Sequence, residues 1–218
     1  MITPSQEEAI SKKAAQELLT GLQALNVPAT EDQINALLQY LQLLAKWNAK
    51  FNLSGITAID DMVSIHLLDS VSLSPFLKGE IFVDAGTGAG LPGIPLAIMH
   101  PEKHFILIDS NGKKTRFLFQ IKLALKLNNI TIENCRIEHY QSTRQIDMVM
   151  CRAFSSLEDT VCKTQQLLRT GSKLLAMKGR FPDQEIDELP TDFVVTTIAK
   201  SGIPGSDSQR HVIEISRV

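Results

Sequence analysis

The stretch Phe82-Val83-Asp84-Ala85-Gly86-Thr87-Gly88-Ala89-Gly90 decides how the chain folds. A short apolar run beginning at Ile81 ends at Asp84-Ala85, and three glycines at alternate positions come directly after it. Glycine lacks a Cβ, so its backbone takes positive φ and lets a ligand approach closely. A strand that turns through such a loop into a helix puts the loop at the carboxyl end of a sheet, where open α/β folds bind nucleotides.

Downstream, short apolar runs alternate with segments of helical period: GIPLAIMH (93–100), FILID (105–109), KTRFLFQIKLALKL (114–127) and ITIENC (130–135). That alternation predicts a βαβαβ unit, a parallel sheet with helices on both faces. DMVMCRAF (147–154), a helix through Leu168 and KLLAMKG (173–179) continue it. FVVTTIAK (193–200) and HVIEISRV (211–218) are separated by Gly202-Ile203-Pro204-Gly205, and so short a connection predicts an antiparallel last strand. The second strand ends at Asp109, nineteen residues beyond Gly90, where a carboxylate accepts hydrogen bonds from ribose hydroxyls. An adenosine-bearing ligand is expected.

Gly88-Ala89-Gly90-Leu91-Pro92-Gly93 also matches the GxGxxG of dinucleotide folds, a weak signal when it stands alone. Pro92 and Pro95 remove backbone donors from the first turn that would cradle a pyrophosphate. Asp84 would set an anion beside those phosphates, whereas it suits the cationic amino group in the methionine half of S-adenosylmethionine. An NAD-dependent oxidoreductase and a noncatalytic RNA-binding factor are the rival readings.

Upstream, residues 1–79 read as a helical extension and 80–218 as a Rossmann-like core, together one domain. Thr3-Pro4-Ser5-Gln6 and Thr30-Glu31-Asp32-Gln33 are capping boxes. Behind them, Ile10, Ala14, Leu18, Leu22 and Leu25, then Ile34, Leu37, Leu38, Leu41, Leu44 and Trp47, fall at helical spacing. Asn52-Leu53-Ser54-Gly55 should end the second helix, and a third is expected from Asp60 to Leu73 with Met62, Ile65, Leu68 and Val71 inward. His66 and Asp69, three apart, are expected to pair locally, and closure of a substrate pocket is their second reading.

The 22 Lys plus Arg nearly balance 24 Asp plus Glu, so no global field draws the chain to nucleic acid. The distribution is uneven: residues 103–126 hold Lys103, Lys113, Lys114, Arg116, Lys122 and Lys126 against Asp109 alone. Cys135, Cys151 and Cys162 have no CxxC or Cys/His metal spacing, so buried thiols in a reducing compartment and no metal are expected. MITPSQEEAI has no basic run leading into an apolar stretch, and no run approaches the about eighteen apolar residues of a membrane span. A cytoplasmic, soluble, monomeric protein is the expectation.

FVDAGTGAGLPGIPLA (82–97) resembles the signature of the small-subunit ribosomal RNA methyltransferase G (GidB) family. WNAKFNLSGI, HLLDS (66–70), Asp109-Ser110, CRIE (135–138), CRAF (151–154) and MKG (177–179) resemble it in order and spacing, over nearly the whole chain. Leu91 and Gln209-Arg210-His211 are the weaker matches. The resemblance implies a class I S-adenosylmethionine-dependent methyltransferase fold: a Rossmann-like, mostly parallel seven-stranded sheet with an antiparallel last strand, behind N-terminal helices. It implies a cofactor pocket lined by Gly86 and Leu91, with Gly88 and Gly90 in the loop and Asp84 before it. Asp109 would meet the ribose, Ile137 and Glu138 would flank the adenine, and Arg152 would face the reacting end, holding the cofactor carboxylate or an RNA phosphate. The implied partner is 16S rRNA in the small ribosomal subunit or an assembly intermediate, methylated at a guanine N7.

The residues bear on the acceptor as well. Attack through pyrimidine carbon 5 needs a positioned cysteine, and no Pro-Cys loop surrounds Cys151. Exocyclic amines go with an Asp/Asn-Pro-Pro-aromatic motif, where this chain has Met150-Cys151-Arg152-Ala153-Phe154. Guanine N7 already exposes a lone pair and needs neither nucleophile nor base. Lys113, Lys114, Arg116, Arg136 and Lys178 are the candidate phosphate-gripping rim. Phe154 is expected in the core, with stacking on a base as its second reading.

Overall fold

A computed structural model of the chain describes residues 4–56, 58–152, 154–202 and 209–218. Helix α1 (Pro4–Ala24) begins at the expected proline, while the Thr3 cap lies outside the described residues. Helix α2 (Glu31–Phe51) carries the reciprocal box: the Gln33 N–H donates to Thr30 Oγ1 at 3.2 Å, and the Thr30 N–H to Gln33 Oε1 at 2.9 Å. Asn52, at φ 49°, ends α2 in a left-handed cap.

The third helical stretch differs from its expectation. It runs as α3 (Ile59–Met62), a π-helical segment Val63–Leu68, and α4 (Asp69–Val71). Each residue added to a turn rotates the downstream residues by about 100°, so the buried face is wider than a 3.6-residue period predicts, while Met62, Leu68 and Val71 are buried as expected. His66, Asp69 and Ser70 are consequently buried beside Met62, Leu68 and Val71, while Ile65 is half-buried. The local His66–Asp69 pair is not formed: His66 Nε2 meets Ser54 Oγ at 2.7 Å, and Asp69 binds two arginines from the far half of the chain.

The sheet has seven strands: β1 (Ile81–Ala85), β2 (His104–Ile108), β3 (Ile130–Glu133), β4 (Met148–Arg152), β5 (Lys173–Lys178), β6 (Phe193–Lys200) and β7 (His211–Arg217). Their order is β3-β2-β1-β4-β5-β7-β6. The first five are parallel, and β7 runs antiparallel to both β5 and β6. A parallel return needs a crossover of a dozen or more residues, and the span from 201 to 210 is too short for one. Helices α5 (Gly93–Met99), α6 (Gly112–Ala124), α7 (Leu157–Thr164) and α8 (Asp183–Asp187) fall between strands.

Side chains alternate across the sheet and sort into two buried clusters. Phe82, Phe105, Met148 and Leu175 lie with Leu18, Leu37, Leu41 and Leu44 of the N-terminal helices, so the helical segment and one sheet face share a single core. Val83, Ile106, Val149 and Leu174 pack with Leu157 and Val161 of α7 on the other face. Polar contacts join α2 to the cofactor-side elements: Gln33 Nε2 donates to the carbonyls of Ile98 and Met99 at the end of α5, and the Tyr40 hydroxyl donates to Ala89 O at 2.8 Å.

Candidate cofactor and substrate site

Asp84 ends the inward run of β1 fully buried. Its Oδ2 accepts the Thr87 hydroxyl at 2.6 Å and the Gly93 N–H at 2.8 Å, which bends the glycine loop back onto the strand. Its Oδ1, equally buried, has no hydrogen-bond partner among the described residues. Burial raises the carboxyl from its ordinary range to about 6, against the bonds from Thr87 and Gly93 and the field of Arg152. Near neutrality it is therefore an anion with one oxygen unmatched, a site for a cationic group. Any side chain at Gly93 would place its Cβ 2.2 Å from Leu107 Cδ2 and 2.7 Å from Asp84 Oδ2, so α5 can start this close only with glycine.

Asp109 comes directly after β2 and holds the other side of the loop. Its Oδ2 accepts the Gly88 N–H at 3.0 Å and lies 3.5 Å from Lys114 Nζ, and its Oδ1 accepts the Asn111 N–H at 2.8 Å. Asn111 also caps α6 by accepting the Lys113 N–H. Gly86, at φ +67°, faces Phe154: a Cβ there would sit 2.5 Å from Phe154 Cδ2. Between these groups lies a cleft of about 340 Å³, lined by Gly86, Asp109, Lys114, Arg136, Ile137, Glu138 and Phe154 among others.

The fold thus brings Gly86, Asp109, Ile137 and Glu138 to one cleft from separate segments, at the carboxyl ends of β1, β2 and β3. Gly88 joins them through its bond to Asp109, while Gly90, at φ +95°, is buried against Ile94 and Leu118. Leu91 does not line the cleft. It is buried in the cluster shared with the N-terminal helices, because the chain has by then turned down into α5. Phe154 is neither a closed core residue nor free: it is half-buried, forms one wall of the cleft, and has Lys163 Nζ 5.6 Å from its ring centre.

Arg152 is the last residue of β4, and its Nη1 donates to Ile65 O at 2.9 Å and Asp69 Oδ2 at 3.1 Å. Lys113, Arg116 and Arg136 lie toward solvent. Lys178 does not stand free on a rim: its ammonium donates to Ser155 O and Glu185 Oε2, both at 2.7 Å, and so ties the loop after β4 to α8. Of the three cysteines expected to be buried, Cys135 is half-buried and Cys162, on α7, is exposed. Cys151 is buried and its thiol is pushed up to about 12 by burial, which removes the thiolate that cysteine-mediated methylation requires. His66 is lowered to about 4 by burial and then by the charge of Arg152, so it is neutral, and its buried Nδ1 has no hydrogen-bond partner among the described residues.

Four contributors escape sequence reasoning. Tyr40 looks like one more residue on an apolar helical face, and nothing local marks its bond to the glycine loop. Lys163 lies on a helix with no motif. Asp69 is expected from its spacing to pair with His66, and Arg210 belongs to the weaker matches, but their contact with each other across 141 positions has no sequence signal.

Comparison with known proteins agrees with this geometry. A family model for rRNA small subunit methyltransferase G (GidB) matches residues 33–213. The chain is 46% identical over 210 residues to ribosomal RNA small subunit methyltransferase G of Stutzerimonas stutzeri (strain A1501), covering 95% of this chain and 98% of the relative. It is 45% identical to the protein of the same name from Pseudomonas syringae pv. tomato, covering 95% and 99%. Among solved structures, magnesium protoporphyrin IX methyltransferase from Synechocystis PCC 6803 with bound SAM aligns with a TM-score of 0.58 at 15% identity, over 87% of this chain and 99% of that one. Ribosomal protein L11 methylase from Lactobacillus delbrueckii subsp. bulgaricus aligns at 0.51 and 13% identity, over 69% and 79%. At such identities the structures speak for the fold alone, which is that of class I methyltransferases. With a family match across most of its length and relatives of this identity from end to end, the chain belongs to the rRNA small subunit methyltransferase G family, S-adenosylmethionine-dependent enzymes.

Proposed function

We propose that the protein transfers a methyl group from S-adenosylmethionine to N7 of one guanine of 16S rRNA in the small ribosomal subunit, acting as a cytoplasmic monomer with residues 80–218 as its catalytic core. The observation that carries the cofactor reading is the buried Asp84 with one unmatched oxygen beneath the glycine loop. The family match supports the RNA substrate, and among the described residues no helix is long and apolar enough to cross a membrane.

Bound S-adenosylmethionine supplies an activated methyl group with its own leaving group, so the protein chiefly has to hold donor and acceptor in line, an effect worth up to about 7–11 kcal/mol. Asp84 answers the cofactor's cationic amino group, and Asp109 accepts from the ribose hydroxyls. Gly86 admits the nucleoside edge against Phe154, with Ile137 and Glu138 flanking the adenine. Arg152 stands at the reacting end, where its charge favours an anionic group of cofactor or substrate. Lys113, Arg116 and Arg136 form the phosphate rim, and Lys114, beside Asp109, connects that rim to the cofactor. Guanine N7 lies in the deep, narrow major groove of A-form RNA, so the target is expected in a loop or an opened segment.

The test is methyl transfer from labelled S-adenosylmethionine to small subunits from cells lacking the protein, followed by borohydride and aniline cleavage at 7-methylguanosine. A single new cleavage in 16S rRNA, lost in Gly86→Ala, is expected, since that Cβ collides with Phe154. Label without cleavage would move the acceptor to another atom. No label on subunits or free rRNA would overturn the proposal.

A further inference from the structure

Asp69 makes an arrangement that the cofactor chemistry does not use. Its two oxygens hold two different arginines: Oδ2 takes Arg152 Nη1 at 3.1 Å and Oδ1 takes Arg210 Nε at 2.9 Å. Asp69 is buried, while the arginine side chains keep 19% and 23% of their surface exposed, so both remain partly open to solvent. The three residues come from separate parts of the chain. Asp69 opens α4 behind the π-helical segment, Arg152 ends β4, and Arg210 immediately precedes β7. π-Helical segments are rare and gather at functional sites. This one presents the Ile65 carbonyl to Arg152 as a second anchor.

One carboxylate against two guanidiniums leaves a surplus positive charge at the sheet edge that carries the cofactor cleft. Arg210 Nη1 also donates to Gln209 O, which fixes the fork at a second point. The two arginines are not equivalent. Arg152 acts on Asp84, beneath the glycine loop. Arg210 lies two strands further along the sheet, with Nη1 near Gly179 at the end of β5. The cleft lies at the carboxyl ends of β1, β2 and β3, and the Asp69-held arginines stand further along the same edge of the sheet, at the end of β4 and before the start of the antiparallel β7.

We propose that Arg210, oriented by Asp69, is a phosphate-binding residue for the RNA backbone next to the target guanine, and that Asp69 is the positioning residue that sets Arg210 and Arg152 side by side. The proposal rests on the rRNA methyltransferase reading and adds to it the border on which the substrate strand is gripped. Guanidinium suits that ligand because its planar donor fork matches phosphate oxygens, and prior fixation by a carboxylate reduces the rotamer freedom lost on binding.

The experiment compares wild-type protein with Arg210→Ala, Arg210→Lys and Asp69→Asn on small subunits lacking the modification. It reads KM and kcat for methyl transfer, equilibrium subunit affinity across a salt series, and S-adenosylmethionine Kd by calorimetry. Arg210→Ala is expected to raise KM about tenfold, the size of one charge-assisted hydrogen bond, with kcat and cofactor Kd unchanged. The slope of log affinity against log salt should fall by about 1, a change that loss of a merely structural contact does not produce. Arg210→Lys should keep the slope and recover part of the KM, and Asp69→Asn should raise KM while keeping the slope, since both arginines remain. An unchanged KM and salt slope in Arg210→Ala would overturn the proposal, and so would a weaker cofactor Kd with subunit KM intact. Absence of transfer by the wild type would remove the rRNA reading and the proposal with it, whereas transfer by the wild type with indifferent Arg210 variants removes the proposal alone.

Discussion

Two buried carboxylates at different places on one sheet have opposite environments. Asp84, under the glycine loop, has one oxygen without a partner and a carboxyl raised to about 6. Glu214, on β7, is bound by Lys78, Lys173 and Thr196. Burial raises the Glu214 carboxyl too, but those bonds and charges outweigh it and hold the group below its ordinary value. A buried carboxylate is therefore not a functional signal in itself. What separates the two is the unmatched oxygen of Asp84, a buried acceptor that calls for a partner, and the cofactor amino group proposed above would be one.

The contrast is most exposed to disproof at Asp84. Asp84→Asn keeps an oxygen for Thr87 and Gly93 but loses the anion, so the S-adenosylmethionine Kd should rise about 10- to 100-fold by calorimetry at pH 7.5. Wild-type affinity should weaken as pH falls through about 6, while the Asn variant stays flat. A carboxyl raised on folding supports stability fully below its ordinary range and loses that support as pH rises through the folded value. Asp84→Asn should hence exceed wild-type stability at pH 8 and lose the advantage in acid. Wild-type affinity that stays constant to pH 5 would sink the assignment.

Glu214→Gln probes the other carboxylate. Its expected loss is about 2 kcal/mol in urea unfolding at pH 7, with cofactor Kd unchanged, because Lys78 and Lys173 lose their counter-charge while both are exposed enough to rehydrate in part. A depressed carboxyl contributes stability above its ordinary range that disappears as pH falls through the folded value, so variant and wild type should converge in acid. A raised cofactor Kd in this variant would mean that the two regions are coupled.

A lesser effect is expected at the brace between α2 and the loop above Asp84. Tyr40→Phe removes the donor to Ala89 O and should cost about 1 kcal/mol of stability, with a modest rise in cofactor Kd because the loop loses its anchor. Lost stability with unaltered Kd would reduce α2 to packing.

Most of the fold is readable from local signals. The change from helical period to short apolar runs at Ile81, the glycine turn and the Thr30–Gln33 box each lie within a few residues, and each stands where expected. The short span after Lys200 announces the antiparallel β7, because chain length alone forbids a crossover. The third helix departs from its expected form because nothing in its spacing announces a π-helical turn, and the His66–Asp69 pairing fails with it. Lys178 and Leu91 depart for a related reason: basic and apolar residue types state a preference, and only neighbours such as Glu185 or the α2 leucines say how it is met.

The class of fold, the strand that leads into the cofactor loop and the carboxylates at the ends of the first two strands are already written in the order of residues. Those features depend on backbone freedom, period and separation, which are properties of short segments. Three others arise only in the folded molecule: the unmatched oxygen of Asp84, the hold of Tyr40 on the glycine loop, and the binding of Arg152 and Arg210 by one Asp69. Burial and partnership belong to groups from distant segments, and they exist only once the sheet has closed over its two cores.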